Sequence, residues 1–436
     1  MENFRIESLE INEIGPFKHL KLDFPLKKDV DRAEIHILTG ENGTGKSTIL
    51  EALAEPTNIS FQVYNLLKKF WKVDEISKSS FKIKYSESIY PITWVLGGQP
   101  YAQTGDYLPA ALDEYVRAAP LPNLFISDMY FGLAFFGYSG YRRVSNIKIK
   151  GINEIEESPI KNATDFNASI NPQNLIQWLV NIQTRELIAK GKGDYRRAKQ
   201  YRSTIETLEN TLSEITESEI NFDLEEELLR VKITIDGQTL NFDQLPDGLK
   251  SMVSWMGDLL MRMDRLKWVN DTPVLERNFI LLLDEIEVHL HPAWQRKILP
   301  VVQKLFKNAQ IFISTHSPFV VGSVDGAWVH RFEKKDGYSV LAGPPILSED
   351  AKSYDYILEE IFGVKERFGV EVERKLQDFQ ALKTSFLAEQ RQDDALRLHQ
   401  LVKELLGQST ELDSIVGMEL RQLKRLTNQD FSFTEV

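Results

Sequence analysis

Cysteine is absent from the 436 residues. That excludes a disulfide framework and a cysteine-bound metal, and it fits a reducing, cytoplasmic setting. Long apolar runs are lacking too. None approaches the roughly 20 residues needed to cross a bilayer, so no membrane partner is expected. The stretch from Met1 to Gly15 has neither a basic leader nor an apolar segment, which argues against a secretory signal. A surplus of positive charge is also missing: 64 acidic residues against 52 Lys and Arg leave a net charge of −12. A protein that grips nucleic acid with its whole surface is basic, so any such contact must be a local patch. The candidate is Lys190, Lys192, Arg196, Arg197, Lys199 and Arg202, opposed only by Asp194. It reads either as a phosphate-contacting patch or as a solvated helical face.

What is present is the composition of an ordinary globular chain, 42% hydrophobic and 27% charged. Alternating apolar residues predict strands within 3–25, broken at Gly15-Pro16. Further strands are expected at 34–39, 81–85, 91–96, 123–127, 231–235, 279–283 and 310–313. Helices are expected from Ser47 to Ala54, over 108–118, over 248–266 and from Pro292. The runs at 279–283 and 310–313 are apolar throughout, as in strands buried on both faces. Strands interleaved with helices predict an α/β core with a mainly parallel sheet. Four regions are expected: an N-terminal lobe over 1–149, a helical insertion over 150–230 without strands before Val231, a C-terminal lobe over 231–345, and a helical tail over 346–436. The tail leucines Leu396, Leu398, Leu401, Leu405 and Leu406 read as a small helical core or as a groove for a partner.

Three segments carry chemistry. Gly40-Glu41-Asn42-Gly43-Thr44-Gly45-Lys46-Ser47, continued by Thr48, fits the full P-loop pattern between an expected strand and an expected helix. Glycines let backbone N–H groups close on phosphate oxygens, and the helix start adds its positive dipole end. Lys46 is placed to reach the β- and γ-phosphates of ATP, and the Ser47 hydroxyl to bind Mg2+. The second segment is the apolar strand ending in Asp284 and Glu285. Buried acids without partners are costly, so these should face a cation: Asp284 as magnesium ligand, Glu285 as general base. The third is Ser314-Thr315-His316-Ser317-Pro318, where His316 is placed to sense a γ-phosphate or the attacking water.

In this order the three segments resemble the ABC-type ATPases of the SMC, RecF and OLD superfamily. The run from Asp284 through His289-Leu290-His291-Pro292 is most like the OLD-like branch. The resemblance implies a head-to-tail dimer around two ATP–magnesium sites, with Glu287 as the acid that touches the partner. In such proteins a signature motif, LSGGQ or a variant, donates to the γ-phosphate across the dimer. The candidate here is Leu245-Pro246-Asp247-Gly248-Leu249-Lys250-Ser251, with Asp247 and Gly248 as nucleotide-contacting residues. Pro246 has neither a hydroxyl nor an N–H, which predicts slow hydrolysis. The same segment also reads as an ordinary helix start capped by Asp247. Phe136-Gly137-Tyr138-Ser139-Gly140-Tyr141-Arg142-Arg143 and the chain length resemble the ATPase subunits of Septu-type anti-phage systems, which implies an HNH-type nuclease partner. No Asp-x-Asp pair follows residue 318, so no nuclease site is expected in this chain. Two other readings stay open: a RecF-like DNA-repair clamp, and a nucleotide-binding scaffold with little hydrolysis.

Overall fold

The structure, a computed structural model, describes residues 4–54, 78–85, 88–95, 101–102, 115, 129–140, 151–168, 170–225, 230–349, 352–389 and 391–427. The expected strand at 123–127 and all of the expected helix at 108–118 except Tyr115 lie outside them, as do Tyr141, Arg142 and Arg143.

The central sheet is built from the apolar runs. Strands β3 (Glu34–Gly40), β7 (Ala134–Tyr138), β11 (Phe279–Leu283) and β12 (Gln310–Ser314) are buried along nearly their whole length. They run parallel in the order β3-β12-β11-β7, and β13 (Trp328–Lys335) pairs parallel to the outer side of β3. Strands β14 (Tyr338–Leu341) and β15 (Ile346–Leu347) add to β13 antiparallel. The mixed, mainly parallel α/β core is therefore present. Because the three motif strands are neighbours and parallel, their C-terminal ends lie side by side, where ligands of such sheets bind.

A second, antiparallel sheet orders β1 (Phe4–Ile14) and β2 (Phe17–Asp23) with β4 (Lys78–Tyr85), β5 (Ser88–Val95) and β6 (Tyr101–Ala102) as β2-β1-β4-β5-β6. Its inner residues pack on the central sheet through edge-to-face rings, Phe4 on Phe135 at 5.9 Å and Phe24 on Phe312 at 4.8 Å. The register between β1 and β4 shifts between Ile6 and Ser8. The Gln310 side chain clasps Ile6 there, accepting from its N–H at 2.8 Å and donating to its carbonyl at 2.9 Å. A buried amide that meets both backbone groups leaves neither uncompensated.

Helix α1 (Lys46–Ala54) buries Ile49, Leu50 and Leu53 and packs against β3, β11 and β12 of the central sheet. The insertion forms an antiparallel pair, α2 (Pro172–Gly191) and α3 (Tyr195–Thr216), capped by Asn171 and Asp194. One expectation fails in this region. Residues 220–225 form strand β8, which pairs with β9 (Arg230–Ile235), itself joined to β10 (Gln238–Leu240) by the Asp236-Gly237 turn. Ile220 and Phe222 alternate with polar residues, a period-2 pattern hidden by the charge-rich composition around it. Helix α4 (Asp247–Arg265) and helix α5 (Pro292–Leu305) complete this body with the short α6 (Pro318–Val321) and α7 (Tyr354–Glu360).

The chain divides into two compact units, Met1–Phe362 and Gly363–Val436. Strand β15 and α7 belong to the first, so that unit runs past the expected start of the tail at 346. The second unit holds α8 (Val370–Glu389), α9 (Gln392–Leu405) and α10 (Thr410–Thr427) around Phe379, Phe386, Leu398, Val402, Leu412, Val416 and Leu423. Of the tail leucines, Leu398 and Leu405 are in this core, while Leu396 is 70% exposed.

Candidate functional site at the C-terminal edge of the central sheet

The loop 41–45 links β3 to α1. Gly40, Gly43 and Gly45 hold φ values of 150°, 77° and 88°, which side chains rarely adopt. A Cβ on Gly45 would lie 2.5 Å from the Phe17 ring, so the loop is held against β2 from outside as well as by its own dihedrals. Thr44 is buried and its hydroxyl donates to the Glu41 carbonyl at 2.8 Å. The Lys46 ammonium closes the loop, donating to the Gly40 and Glu41 carbonyls at 3.0 Å each. Burial lowers its pKa, while Asp284, Glu285 and Glu287 oppose that shift. Asn42 and Ser47 are exposed and Thr48 is half-buried. Lys334 on β13 brings its ammonium against Gly43, 3.3 Å from where a Cβ would stand. Nothing local in the sequence marked that second cation.

The acids meet this loop. Asp284 Oδ1 accepts from the Ser47 hydroxyl at 3.0 Å and also from the Ser314 hydroxyl. Ser314 Oγ in turn accepts from the Glu285 N–H at 2.9 Å. One serine at the end of β12 thus holds the Asp284 carboxylate and the Glu285 main chain just after β11. Glu285 holds φ 47°, a left-handed conformation that costs about 1–3 kcal/mol outside glycine. Its carboxylate rests on Gly140, where a Cβ would stand 3.0 Å from Oε2. The glycine after β7 therefore makes room for the expected general base.

His316 follows in the loop after β12. It is half-buried, and burial first, then the nearby Lys46 charge, lowers its pKa, with Asp284 in partial opposition. Both effects favour the uncharged imidazole. Its backbone N–H donates to Glu287 Oε1 at 2.5 Å. Within this chain the Glu287 carboxyl is turned inward. His291 accepts from the Ala293 N–H at 3.2 Å and so caps α5.

The signature candidate lies elsewhere in the chain. Pro246, not Asp247, occupies the cap position, and its carbonyl accepts from Lys250 N–H at 3.0 Å. Asp247 pairs with Lys250 at 3.5 Å. Among the described residues no hydrogen bond joins Asp247 or Gly248 to the loop 40–48. Gly248 abuts the His289 carbonyl, where a Cβ would stand 2.6 Å away. A packing demand therefore fixes this glycine within one chain.

The donor set fits magnesium. Adjacent oxygen ligands of an octahedral ion at about 2.0–2.1 Å are about 2.9 Å apart. That is close to the separation of Ser47 Oγ and Asp284 Oδ1. The loop with its lysine and helix start suits a triphosphate. Residues outside the motifs complete the frame. Tyr138 donates its hydroxyl to Asp258 at 2.9 Å, and Asp258 binds Arg262, which anchors the loop before α2 through the Pro159 and Lys161 carbonyls. The i, i+4 spacing of Asp258 and Arg262 on α4 was the available signal for this frame.

A family model described as "AAA domain, putative AbiEii toxin, Type IV TA system" matches residues 150–322, and an "AAA domain" model matches residues 8–54. The retron Ec83 probable ATPase of Escherichia coli is 28% identical over 229 residues, covering 52% of this chain and 40% of that protein. The Septu protein PtuA of Bacillus mycoides is 25% identical over 339 residues, covering 76% and 41%. The Septu protein PtuA of Bacillus thuringiensis is 23% identical over 327 residues, covering 72% of each. The chain spans about two fifths of the length of the first two relatives. A solved SmcHead bound to the C-winged helix domain of ScpA aligns with a TM-score of 0.47 at 14% identity, over 79% of this chain and 98% of that one. No helix among the described residues is long and apolar enough to cross a membrane.

Proposed function

We propose that the chain is an ABC-type ATPase of the SMC/RecF-like kind that binds ATP with magnesium, hydrolyses it slowly in a head-to-tail dimer, and gates a separate HNH-type nuclease in anti-phage defence. The observation that carries the enzymatic part is the convergence of Ser47 with Asp284, from segments far apart in the sequence, on one carboxylate oxygen. In this reading the amides of the loop 40–45 and the Lys46 ammonium hold the phosphates. Ser47 and Asp284 hold magnesium, which when bound neutralises charge on the phosphate oxygens. Glu285 takes the proton of the attacking water. His316 donates a hydrogen bond to the γ-phosphate.

The relation to Septu and retron ATPases supports the defence role. The three-helix second unit is our proposed dock for the nuclease, supported by the exposed Leu396, Met418 and Leu426 on it. The test has two arms. Phosphate release by the purified chain should require magnesium and be lost in Lys46→Ala. Co-expression with the genes beside it should yield a complex with a small HNH protein that a chain ending at residue 362 fails to hold. Absence of nucleotide binding sinks the enzymatic reading. DNA-stimulated turnover without any nuclease partner would favour a RecF-like clamp instead.

A further inference from the structure

We propose that Glu287 is a positioning residue that holds His316 in place for the reaction, linking the segment after Asp284-Glu285 to the loop after β12. The proposal rests on the ATPase reading above and concerns how its γ-phosphate sensor is aimed. Four observations support it.

The first is direct contact: Glu287 Oε1 accepts the backbone N–H of His316 at 2.5 Å. The second is burial. Glu287 Oε2 is shielded from solvent, and burial raises the carboxyl's pKa against the stabilising His316 amide. An acid serving only solubility would lie in water. The third is the shape of the segment. Leu290 N–H donates to the Glu287 carbonyl at 2.9 Å and Val288 N–H to the Glu285 carbonyl at 3.1 Å. Glu285 and His289 at its ends hold φ 47° and 66°. The turn that aims Glu287 inward is thus fixed at both ends, one of them the expected general base. The fourth is what lies behind the turn. The His289 carbonyl abuts Gly248 at the start of α4, so that helix backs the turn from behind.

The loop of His316 has a second anchor. Ser317 Oγ donates to Gln295 Oε1 at 2.6 Å and accepts from Phe319 N–H, fixing α6 to α5. Between the end of β12 and that anchor, the His316 amide is the backbone donor held by an acid. Removing the acceptor leaves the ring free to swing while the loop stays attached downstream.

The test is a double-mutant cycle on the full chain with MgATP. Glu287→Ala should lower kcat by on the order of 10²-fold, the scale of a misplaced catalytic group, with little change in MgATP affinity. His316→Ala should do the same. The double variant should be no worse than His316→Ala alone, because Glu287 acts through that ring. Glu287→Gln keeps an acceptor oxygen and should recover most of kcat. Glu287→Asp withdraws it and should not, a comparison that survives if Glu287→Ala does not fold. A readout without nucleotide accompanies these. Amide exchange across residues 310–321 should quicken in Glu287→Ala and Glu287→Asp and stay slow in Glu287→Gln. Additive losses in the double variant, or wild-type exchange in both Glu287→Ala and Glu287→Asp, overturn the proposal. A wild-type chain that does not turn over ATP defeats the ATPase reading alone, since the exchange arm still reports on Glu287.

Discussion

The Ser47 hydroxyl lies 3.0 Å from Asp284 Oδ1, although 237 positions separate the two residues in the chain. Ser314 holds the same oxygen from the other side and links it to the Glu285 amide. Groups that orient a metal ligand without touching the metal typically contribute 10–100-fold in affinity or activity. Ser314→Ala is therefore expected to raise the magnesium concentration needed for half-maximal turnover by roughly 10–100-fold. ATP binding in EDTA should be nearly unchanged. A magnesium titration of phosphate release checks this, and an unshifted midpoint removes Ser314 from that role.

Glu285 combines a strained backbone with a carboxylate seated on Gly140. Strain of this kind persists where the surroundings over-determine it, here the Ser314 hydroxyl below and the turn above. Glu285→Gln keeps the shape and loses the base. Turnover should fall by roughly 10²–10⁴-fold, the usual contribution of a positioned base, while ATP stays bound. Size-exclusion chromatography with MgATP should then show a persistent dimer. Unchanged turnover assigns the proton transfer to another group.

Between the two sheets lies a polar group unconnected with phosphate. Arg5 pairs with Glu34 at 2.7 Å, Glu34 with His36 at 2.9 Å, and His36 with His330 at 3.3 Å. Burial lowers the pKa of both histidines, and the His36 charge adds to the effect on His330. Glu34 is held at about 2: burial pushes it up, but the bonds from His36 and Arg5 overcome this. In each case the folded pKa is below the unfolded one, so the unfolded chain binds more protons as pH falls. The stability is present above the unfolded values and is lost on acidification. The histidine part goes below about pH 6.5 and the Glu34 part below about pH 4.3. Thermal melts from pH 8 to pH 5 should show falling stability in the wild type. His330→Leu should flatten that limb; an equal slope in both proteins assigns the acid sensitivity elsewhere.

How much of this was legible follows from what each residue answers to. The P-loop and the Asp284-Glu285 pair could be read because phosphate and magnesium restrict residue type at fixed spacing. The runs at 279–283 and 310–313 could be read as strands buried on both faces because they are almost wholly apolar, whereas their order beside β3 came only from the structure. Strand β8 was missed because alternation at Ile220 and Phe222 sits in a charge-rich stretch whose longer-range period is helical. The inward turn of Glu287 was hidden for another reason. Its acceptor role depends on a backbone amide 29 positions away, and a main-chain group leaves no signature in residue identity. Gly248 was legible as a glycine but not as a packing glycine, since the carbonyl of His289 that excludes a side chain is also main chain.

Gly248 therefore separates two readings of the signature segment. If it serves only to bring an amide to a phosphate across the dimer, Gly248→Ala should leave the nucleotide-free monomer intact, because alanine also has an N–H and a high helix propensity. The structure argues otherwise. A Cβ would stand 2.6 Å from the His289 carbonyl and 3.1 Å from the Trp294 ring, inside contact distance on two sides. Overpacking at such a site typically costs about 1–3 kcal/mol. Relief must come from a shift of either α4 or the turn 285–290. The nucleotide-free Gly248→Ala protein is expected to melt earlier than wild type. It should also show faster amide exchange at 285–291 without any ATP present. Melting and exchange at wild-type levels, together with lost ATP-dependent dimerisation, would assign the glycine to the nucleotide alone.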